Sequence, residues 1–464
     1  MKTNRRDFVR RWGTLLGSAA VTGPWHSLLA RYAHGETSGL AEGFGPLQPC
    51  IDETTGLALI KLPAGFRCIS FGWTSDLMAD GRLTPPYHDG MGAFESASGN
   101  VVLCRNHEVD PGSTAFGDPA SSYDPHGGGG CTRLSFNPTT EKWLESRVCL
   151  SGTLRNCAGG TTPWQSWLSC EETVLGPGDV QSGHPLFLEQ THGWIFETIM
   201  EADIAASQPP QPLRDMGRFV HEAVAVDDET GIVYETEDRL TAGFYRFIPN
   251  VARQLHRGGR LQMLLVIGAS DLRDGIGKDA IFDVQWVDIE DPQRPHSPGT
   301  DDNLGVFHQG KARDAATFTR LEGIWYEGET VYFVSTNGGD AGCGQVWAYH
   351  PAEEQLRLVF ESPDPAVVKM PDNMTVSPRG AIVLCEDGKK SGQRLQGLTT
   401  DGRIFPFGAN NVVLNGERNG LSGDFRDGEW AGVTFSPDGK WLFANLQNPG
   451  ITLAITGPWD EGLL

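Results

Sequence analysis

The stretch Glu429–Gln447, EWAGVTFSPDGKWLFANLQ, contains the pattern that decides the fold. Glu429 precedes a short apolar strand over Ala431–Phe435. The turn Ser436–Gly439 then leads into a second strand over Trp441–Ala444. Ser, Pro, Asp and Gly favour a tight turn, because each supplies a local hydrogen bond, a fixed φ or a positive φ. The stretch predicts a β-hairpin with a carboxylate at its start and polar residues at its end.

The same order of acid or amide, strand, turn and strand recurs along the chain. The residues that mark the start of each unit are Glu222, Glu322, Asn373 and Glu429. Successive markers are 100, 51 and 56 residues apart, so one further unit is expected between the first two. A period near 50 residues with several short strands per unit is typical of β-propeller blades. We therefore expect an all-β fold, a six-bladed β-propeller with long inserted loops and few helices.

Composition agrees with this fold class and excludes some functions. The 464 residues include 59 Gly and 29 Pro, which suits many short strands joined by tight turns. The formal net charge is −22, and such a field repels nucleic acid and anionic membranes. We expect no nucleic-acid partner and a monomer whose small-molecule substrate binds at the propeller channel.

The N-terminus predicts export. Asn4-Arg5-Arg6-Asp7-Phe8-Val9 is a twin-arginine pattern, and a modestly apolar stretch follows it. We expect residues 1–33 to be a twin-arginine signal peptide read by the twin-arginine translocase, and residues 34–464 to be a single β-propeller catalytic domain. The mature protein would be periplasmic or secreted. No later run of 18 apolar residues exists, so the sequence predicts no membrane span.

A second stretch, Arg155–Glu172 (RNCAGGTTPWQSWLSCEE), brings a soft donor close to hard ones. Cys157 lies in a small-residue bend, and a Trp-rich strand ends on Glu171 and Glu172. The chain has nine cysteines, an odd number, and we expect Cys157 to be the unpaired one. Because side chains alternate along a strand, Glu171 is expected near Cys157 and Glu172 is expected to point away.

Propeller geometry would gather the markers into one site. If each marker precedes its blade's innermost strand, all of them lie at one mouth of the central channel. We expect the polar residues that end the second strands to lie toward the opposite face. Clustered carboxylates repel one another unless cations compensate them. Calcium suits oxygen ligands, whereas a thiolate indicates a softer or redox-capable metal such as iron or zinc.

These residues carry a resemblance to a known family. The chain resembles the PhoX-type alkaline phosphatases, a family of twin-arginine-exported proteins. The most specific matches are Asn156–Trp164 (NCAGGTTPW) and Ala431–Gly439 (AGVTFSPDG). The supporting matches, in chain order, are Asn106-His107-Glu108, Cys170-Glu171-Glu172, Gly217-Arg218-Phe219, His221-Glu222, Arg320 with Glu322-Gly323, Pro371-Asp372-Asn373 and Glu429.

The resemblance implies phosphomonoester hydrolysis at a mixed iron (Fe³⁺) and Ca²⁺ cluster in a six-bladed propeller. It implies that Cys157, Glu222 and Glu322 are iron-side ligands. The implied calcium or bridging ligands are Asp372, Asn373, Glu171, Glu108 and Glu429. Arg320 is implied as the phosphate clamp, since its planar fork suits phosphate oxygens. The residues expected to act in catalysis are therefore Arg320, Glu322 and Cys157.

The sequence leaves two alternative functions open. The nucleophile is expected to be held by metal, because no Ser lies in the GxSxG pattern of a nucleophile elbow. A calcium-dependent lactonase or esterase propeller would also place Glu, Asn and Asp at the channel mouth, but it needs only oxygen donors. A non-catalytic, metal-stabilised binding propeller is the other alternative.

Overall fold

The computed structural model describes residues 43–200, 209–277, 280–388, 392–399, 402–462 and 464. The predicted signal peptide, residues 1–33, lies outside the described residues. Across the described residues the chain is built from 30 β-strands, one seven-residue α-helix and four short 3₁₀ helices. The prediction of an all-β fold with few helices is confirmed.

The strands are short and follow one another in antiparallel meanders. The strands of the first half are β1 (Gln48–Cys50), β2 (Ile60–Leu62), β3 (Arg67–Phe71), β4 (His88–Glu95), β5 (Val101–His107), β6 (Gly129–Asn137), β7 (Lys142–Thr153), β8 (Asn156–Thr161), β9 (Ser166–Glu171), β10 (Val180–Gln181), β11 (His184–Pro185), β12 (Ile195–Ile199), β13 (His221–Val226), β14 (Val233–Glu237), β15 (Phe244–Pro249), β16 (Gly259–Val266) and β17 (Ile281–Asp288).

The helix α1 (Gly305–Lys311) precedes the second half. The strands of that half are β18 (Leu321–Glu327), β19 (Thr330–Ser335), β20 (Gln345–His350), β21 (Gln355–Glu361), β22 (Pro371–Val376), β23 (Ile382–Glu386), β24 (Arg394–Leu398), β25 (Ile404–Asn410), β26 (Val413–Arg418), β27 (Leu421–Asp424), β28 (Trp430–Phe435), β29 (Leu442–Leu446) and β30 (Ile451–Thr456). The 3₁₀ helices are Pro119–Ser121, Arg214–Met216, Leu255–Arg257 and Trp459–Glu461.

The sheets are built from antiparallel meanders, some of which are extended or joined by further strands. β4–β7 form a four-stranded sheet, and β8, β9 and β12 form a three-stranded one. β13–β16 and β18–β21 are joined by β17 into nine strands. β22–β25 are extended at their outer edge by β2 and β1, and β28–β30 are extended by β3. The pairing of N-terminal β3 with C-terminal β30 closes the chain on itself.

The first strand of each meander contacts the first strands of two other meanders. β4 contacts β8 and β28, β13 contacts β8 and β18, and β22 contacts β18 and β28. These contacts bring the first strands together in a propeller-like arrangement. The small residues of the sequence allow the close approach, because a Cβ on Gly160 would lie 2.0 Å from the carbonyl oxygen of Val224 on the neighbouring strand.

The hydrophobic core lies between neighbouring sheets. Between the meanders of β13 and β18, Phe244 stacks on Phe333 with ring centroids 4.3 Å apart, and Trp347 is fully buried beside them. Burying a large apolar side chain contributes about 1.5–3 kcal/mol. The sheets therefore pack face to face and leave the ends of the first strands free to form a site.

The hairpin that predicted the fold forms as expected. Ser436–Gly439 is a turn between β28 and β29, in which the amide of Gly439 donates to the carbonyl oxygen of Ser436 at 2.8 Å. The side chain of Asp438 accepts from the amide of Lys440 at 3.2 Å. These bonds satisfy the polar backbone of the turn and fix the register of the two strands.

Candidate metal centre

The first and second strands of all six meanders pair with a β-bulge at the same position. In each ladder two residues of the first strand oppose one residue of the second. The first bulged residues, here called the bulge ring, are Asp89, Cys157, Glu222, Glu322, Asp372 and Gly432. A bulge re-aims a side chain that a regular pleat would place on the sheet face. The bulge therefore directs five donor side chains toward a common centre.

A second set of residues follows the second strands. Each lies directly after β5, β9, β14, β19, β23 or β29, and we call them the strand-end ring: Glu108, Glu172, Asp238, Thr336, Asp387 and Gln447. The amide of each donates to a carbonyl at the entry to the first strand of its own meander, for example Glu172 to Arg155 at 2.9 Å and Asp387 to Met370 at 3.0 Å. The second strands thus end where the first strands begin.

This geometry corrects one sequence-based expectation. The polar ends of the second strands were expected toward the opposite face, but they lie at the same mouth as the markers. The reason is the antiparallel meander, since a strand that returns from the far face ends beside the start of its partner. The strand-end ring is consequently part of the centre.

The donor atoms of the two rings come within metal-binding distance of one another. Three groups have donor atoms that all lie within 4.8 Å of each other: Asp89, Glu108 and Cys157; Cys157, Glu172 and Glu222; and Asp372, Asp387 and Glu429. Cys157 belongs to two of the groups. Its Sγ lies 3.1 Å from Oε1 of Glu222 and 3.9 Å from Oδ2 of Asp89.

Gln447 orders the part of the centre nearest the first sheet. Its Nε2 donates to Oδ2 of Asp89 at 2.9 Å and to Oε2 of Glu108 at 2.8 Å. One amide group thus holds two carboxylates from the same meander. A neutral donor fixes their orientation without adding positive charge that would compete with a cation.

Arg320 is the principal cation beside the bulge ring. Its guanidinium forms an ion pair with Glu322 and hydrogen-bonds to Oδ1 of Asp238 at 3.0 Å. Oδ2 of Asp387 lies 3.9 Å from Nη2. Burial opposes the charge on Arg320, but the carboxylates of Glu322 and Asp238 outweigh it and raise its pKa. Arg320 is therefore charged and placed where three acidic residues converge.

Glu322 is buried with an unsatisfied carboxylate. Its side chain is 1% exposed, and apart from the contact with Arg320 the described residues donate no geometrically regular hydrogen bond to its carboxylate. A buried carboxylate without hydrogen bonds is costly unless a charge compensates it. Arg320 supplies part of that compensation from one side, and the open side fits a bound cation.

Burial and mutual repulsion raise the pKa of the centre's acidic groups. Burial raises the pKa of Asp372 to about 8, with Asp387 adding to the effect. Burial likewise raises the pKa of Glu222 and Glu322 well above the ordinary value, and Asp372 raises both further. The pKa of Cys157 is raised by burial and then by Asp89. Positive charge at the centre reverses these effects and stabilises the ionised ligands.

The structure places the two neighbouring glutamates on the faces opposite to those expected. Glu171 accepts from the amide of Gly193 at 2.8 Å and lies 2.6 Å from Nδ1 of His192, fully buried away from Cys157. Glu172 is the residue beside Cys157. Glu171 pairs with Asn156, so it shares the face of Asn156 rather than that of Cys157. The alternation was correct, but it was assigned to the wrong face.

The side chain of Asn373 contacts the neighbouring first strand. It is the second bulged residue of its strand, and its Oδ1 accepts from the amide of Val433 on the neighbouring first strand at 3.1 Å. Its side chain therefore joins β22 to β28. It also lines a cavity of about 240 Å³ in the channel, together with Met374 and Val433.

The remaining predicted residues converge. Cys157, Glu222, Glu322, Asp372, Glu108, Glu429 and Arg320 all lie at this centre. Sequence reasoning missed Asp89, Asp238 and Asp387 and ranked Glu172 below Glu171. Recurrence of an acidic residue directly after the second strand was the signal for Glu172, Asp238 and Asp387. Asp89 was missed because the glycine-rich stretch that follows it in β4 is not an apolar run.

A cavity of about 330 Å³ opens beside Arg320. It is lined by Asp238, Arg239, Leu240, Thr241, Leu304 and Arg320. Leu240 is 67% exposed, so the cavity has an apolar wall next to its charged end. This is the approach by which a small anion with an organic substituent would reach Arg320.

No helix among the described residues is long and apolar enough to cross a membrane. All nine cysteines are free thiols in the structure, and Cys157 is the one among them that lies in the donor groups.

Comparison with known proteins identifies the family. The model of the family described as "Alkaline phosphatase PhoX" matches residues 138–450. Asp89 and Glu108 lie before that range. No curated protein matches the sequence.

Two solved structures resemble the fold. *Pseudomonas fluorescens* PhoX in complex with vanadate, a transition state analogue, has 17% identity and a TM-score of 0.66, with 92% of this chain and 99% of that chain covered. A gluconolactonase from *Xanthomonas campestris* has 13% identity and a TM-score of 0.41, with 89% and 98% covered. The first likeness supports the propeller-like fold. The family model matches well over half of this chain. The chain therefore belongs to the PhoX alkaline phosphatase family, whose members are hydrolases of phosphomonoesters.

Proposed function

We propose that phosphomonoesters are hydrolysed at the bulge and strand-end rings by a mixed cluster of iron (Fe³⁺) and Ca²⁺. The observation that carries the proposal is the donor set. Five of six bulge positions hold a carboxylate or thiol, and four of six strand-end positions hold a carboxylate, all at one mouth. Only one donor among them, Cys157, is sulfur.

The arrangement of six blades is part of the proposal. The six first strands contact one another in sequence, and each begins a meander with the same bulge. We assign one blade to each of the meanders that begin at β4, β8, β13, β18, β22 and β28. Residues 34–464 would then form one catalytic domain, because β3 from the N-terminal part completes the last blade.

The residues fit the two kinds of cation. Asp372, Asp387 and Glu429 offer oxygen alone, which suits the hard ion Ca²⁺. Cys157 with Glu172 and Glu222 adds a thiolate, which suits iron rather than calcium. Glu322 lies between these groups in its electrostatic contacts, since Asp372 and Glu222 both raise its pKa. The buried carboxylate of Glu322 would therefore help to hold the cations.

The chain's own side chains perform the remaining tasks. When bound, the cations would supply Lewis acidity and an activated water. The ring carboxylates would hold these cations. In the absence of cations, the carboxylates would repel a phosphate. Arg320 borders the cavity. Its Nε and Nη2 contact Asp238 and Glu322, and its remaining N–H groups can donate to equatorial phosphate oxygens. The buried setting keeps these electrostatic interactions strong.

The proposal is tested with p-nitrophenyl phosphate. Purified protein with its metals should release p-nitrophenol, and chelation should abolish the release. Failure of the fully metal-loaded protein to turn over the ester would contradict the proposal. Calcium without iron, together with lactone hydrolysis, would instead support the lactonase or esterase alternative, and unchanged metal content in Cys157→Ala would support the non-catalytic one.

The cellular setting is proposed from the N-terminal sequence. We propose export by the twin-arginine translocase to the periplasm or the medium, with the mature protein a monomer. Since that route carries folded proteins, the centre could be loaded before export. Replacing Arg5 and Arg6 with Lys should leave the protein in the cytoplasmic fraction, and unchanged export would contradict this route.

A further inference from the structure

A third set of equivalent positions surrounds the mouth of the channel. These are the residues whose carbonyl oxygen accepts the amide of the strand-end residue in the same meander: Tyr87, Arg155, Val220, Arg320, Met370 and Glu429. We call them the mouth ring. Two of its members are arginines, and only one of these, Arg320, has a role assigned above.

Arg155 and Arg320 occupy the same backbone environment. Their φ values are 43° and 41°, in the left-handed region that costs energy for a residue with a side chain. The amide of Arg155 donates to the carbonyl of Val109 at 3.1 Å, and that of Arg320 to the carbonyl of Arg239 at 2.7 Å. Val109 and Arg239 each follow a strand-end residue of the preceding meander. The two side chains therefore leave equivalent points of the fold.

The surroundings of Arg155 differ from those of Arg320 in one respect. Nε of Arg155 lies 2.6 Å from Oδ1 of Asp110, a residue with a 68% exposed side chain. Among the hydrogen bonds of the described residues, none engages its two terminal nitrogens. Glu172 and Glu108 still lie near enough to act on its charge. Asp110 thus holds the guanidinium at the mouth and leaves its outer edge free for a ligand.

We propose that Arg155 is a second phosphate-binding side chain, two meanders before Arg320 around the mouth, which contacts the phosphate group of the ester and of the inorganic phosphate product. Arg320 approaches the centre from the Glu322 and Asp387 side, whereas Arg155 approaches from the Glu108 and Glu172 side. A phosphate between them has oxygens for both guanidinium groups. The role rests on the proposed function, because the ligand is the substrate of that reaction.

The test compares Arg155→Gln and Arg155→Lys with the unaltered, metal-loaded protein. The readouts are kcat and KM for p-nitrophenyl phosphate, the inhibition constant of inorganic phosphate, and iron and calcium content. Loss of one charge-assisted hydrogen bond should weaken phosphate inhibition about tenfold to about a hundredfold in Arg155→Gln. Metal content should not change, and Arg155→Lys should recover part of the affinity because it keeps the charge.

Arg147→Gln is the matched control, since Arg147 lies on β7 in an exposed pair with Glu145. It should leave the phosphate inhibition constant unchanged. An unchanged constant in Arg155→Gln would overturn the proposal, as would metal loss that accounts for the whole effect. If the unaltered protein has no phosphatase activity, the proposed function fails instead, and direct binding of inorganic phosphate to the metal-loaded variants still decides the role of Arg155.

Discussion

The two halves of the centre use the same backbone positions with different chemistry. The half built by the meanders of β4, β8 and β13 contributes Asp89, Glu108, Cys157, Glu172 and Glu222, and it includes the thiol. The half built by the meanders of β18, β22 and β28 contributes oxygen donors, with Asp372, Asp387 and Glu429 as its group. One repeated hairpin thus provides both a soft and a hard site, because the donor type is set by a single residue at each bulge.

In the meander of β28, the carboxylate comes from the mouth ring rather than from the bulge ring. Its bulge residue is Gly432, with a φ of +59°, and a Cβ there would lie 2.5 Å from the carbonyl oxygen of Asp89. No side chain fits at that point of the ring. Glu429, three residues earlier in the mouth ring, supplies the carboxylate instead. The oxygen half therefore takes one of its three carboxylates from the mouth ring.

The largest expected effect comes from removing the sulfur. Cys157→Ser should lower kcat/KM for p-nitrophenyl phosphate by more than about a hundredfold, because even residues that only support metal ligands cost about tenfold to a hundredfold. The measurement is steady-state turnover at full metal supplementation. Cys149→Ser is the matched control, since its thiol lies on β7 and bonds the carbonyl of Cys131. Comparable losses in both variants would mean that the effect is structural.

A smaller effect is expected from the oxygen half. Asp387→Asn should lower calcium content and reduce activity about tenfold to a hundredfold, while iron remains bound. Elemental analysis with parallel turnover measurements checks this. Asp424→Asn serves as the control, since Asp424 is an exposed residue paired with Arg426. Loss of iron with calcium retained would reverse the assignment of the two halves.

The neighbouring glutamates give a sharper comparison within one strand end. Glu172→Gln should reduce activity and metal content with little change in stability. Glu171→Gln should instead lower the free energy of unfolding by about 1–3 kcal/mol, because it weakens buried hydrogen bonds to His192 and Gly193. Thermal unfolding and elemental analysis of both variants test the separation. The contrary result is metal loss in Glu171→Gln without destabilisation.

A further comparison concerns stability in the absence of metal. The raised pKa of Asp372, about 8, means that the folded protein holds a proton that the unfolded chain releases near pH 4. Stability of the chelated protein should therefore fall as pH rises from about 4 to about 8. Asp372→Asn should flatten this dependence in thermal unfolding. If the protein treated with chelator gains stability over that pH range, Asp372 does not hold the proton in the folded state.

The fold could be predicted from the sequence because each hairpin contains its own evidence. Glu429, the turn Ser436–Gly439 and the two flanking strands fix a local unit, and its recurrence gives the propeller-like arrangement. The further unit expected between Glu222 and Glu322 is wrong, because β13 and β18 are neighbouring first strands. Glu222 and Glu322 were found because each begins a recurring apolar strand, Cys157 was found as a thiol close to two glutamates, and Asp372 was implied by the family resemblance. These features depend on neighbours in sequence.

The rest of the centre depends on facts that local patterns do not contain. Glu172 rather than Glu171 lies beside Cys157. The reason is that Glu171 pairs with Asn156 on the neighbouring strand and shares the face of Asn156. Asp238 and Asp387 join because the second strands return to the mouth. Asn373 is used to join two strands, since the bulge turns it from the ring toward Val433.

Iron K-edge X-ray absorption of the purified protein decides whether iron binds at the sulfur-containing half. We expect an iron–sulfur scattering path that is present in the unaltered protein and absent in Cys157→Ser. Iron surrounded by oxygen neighbours alone, or a sulfur path that persists in Cys157→Ser, would contradict it.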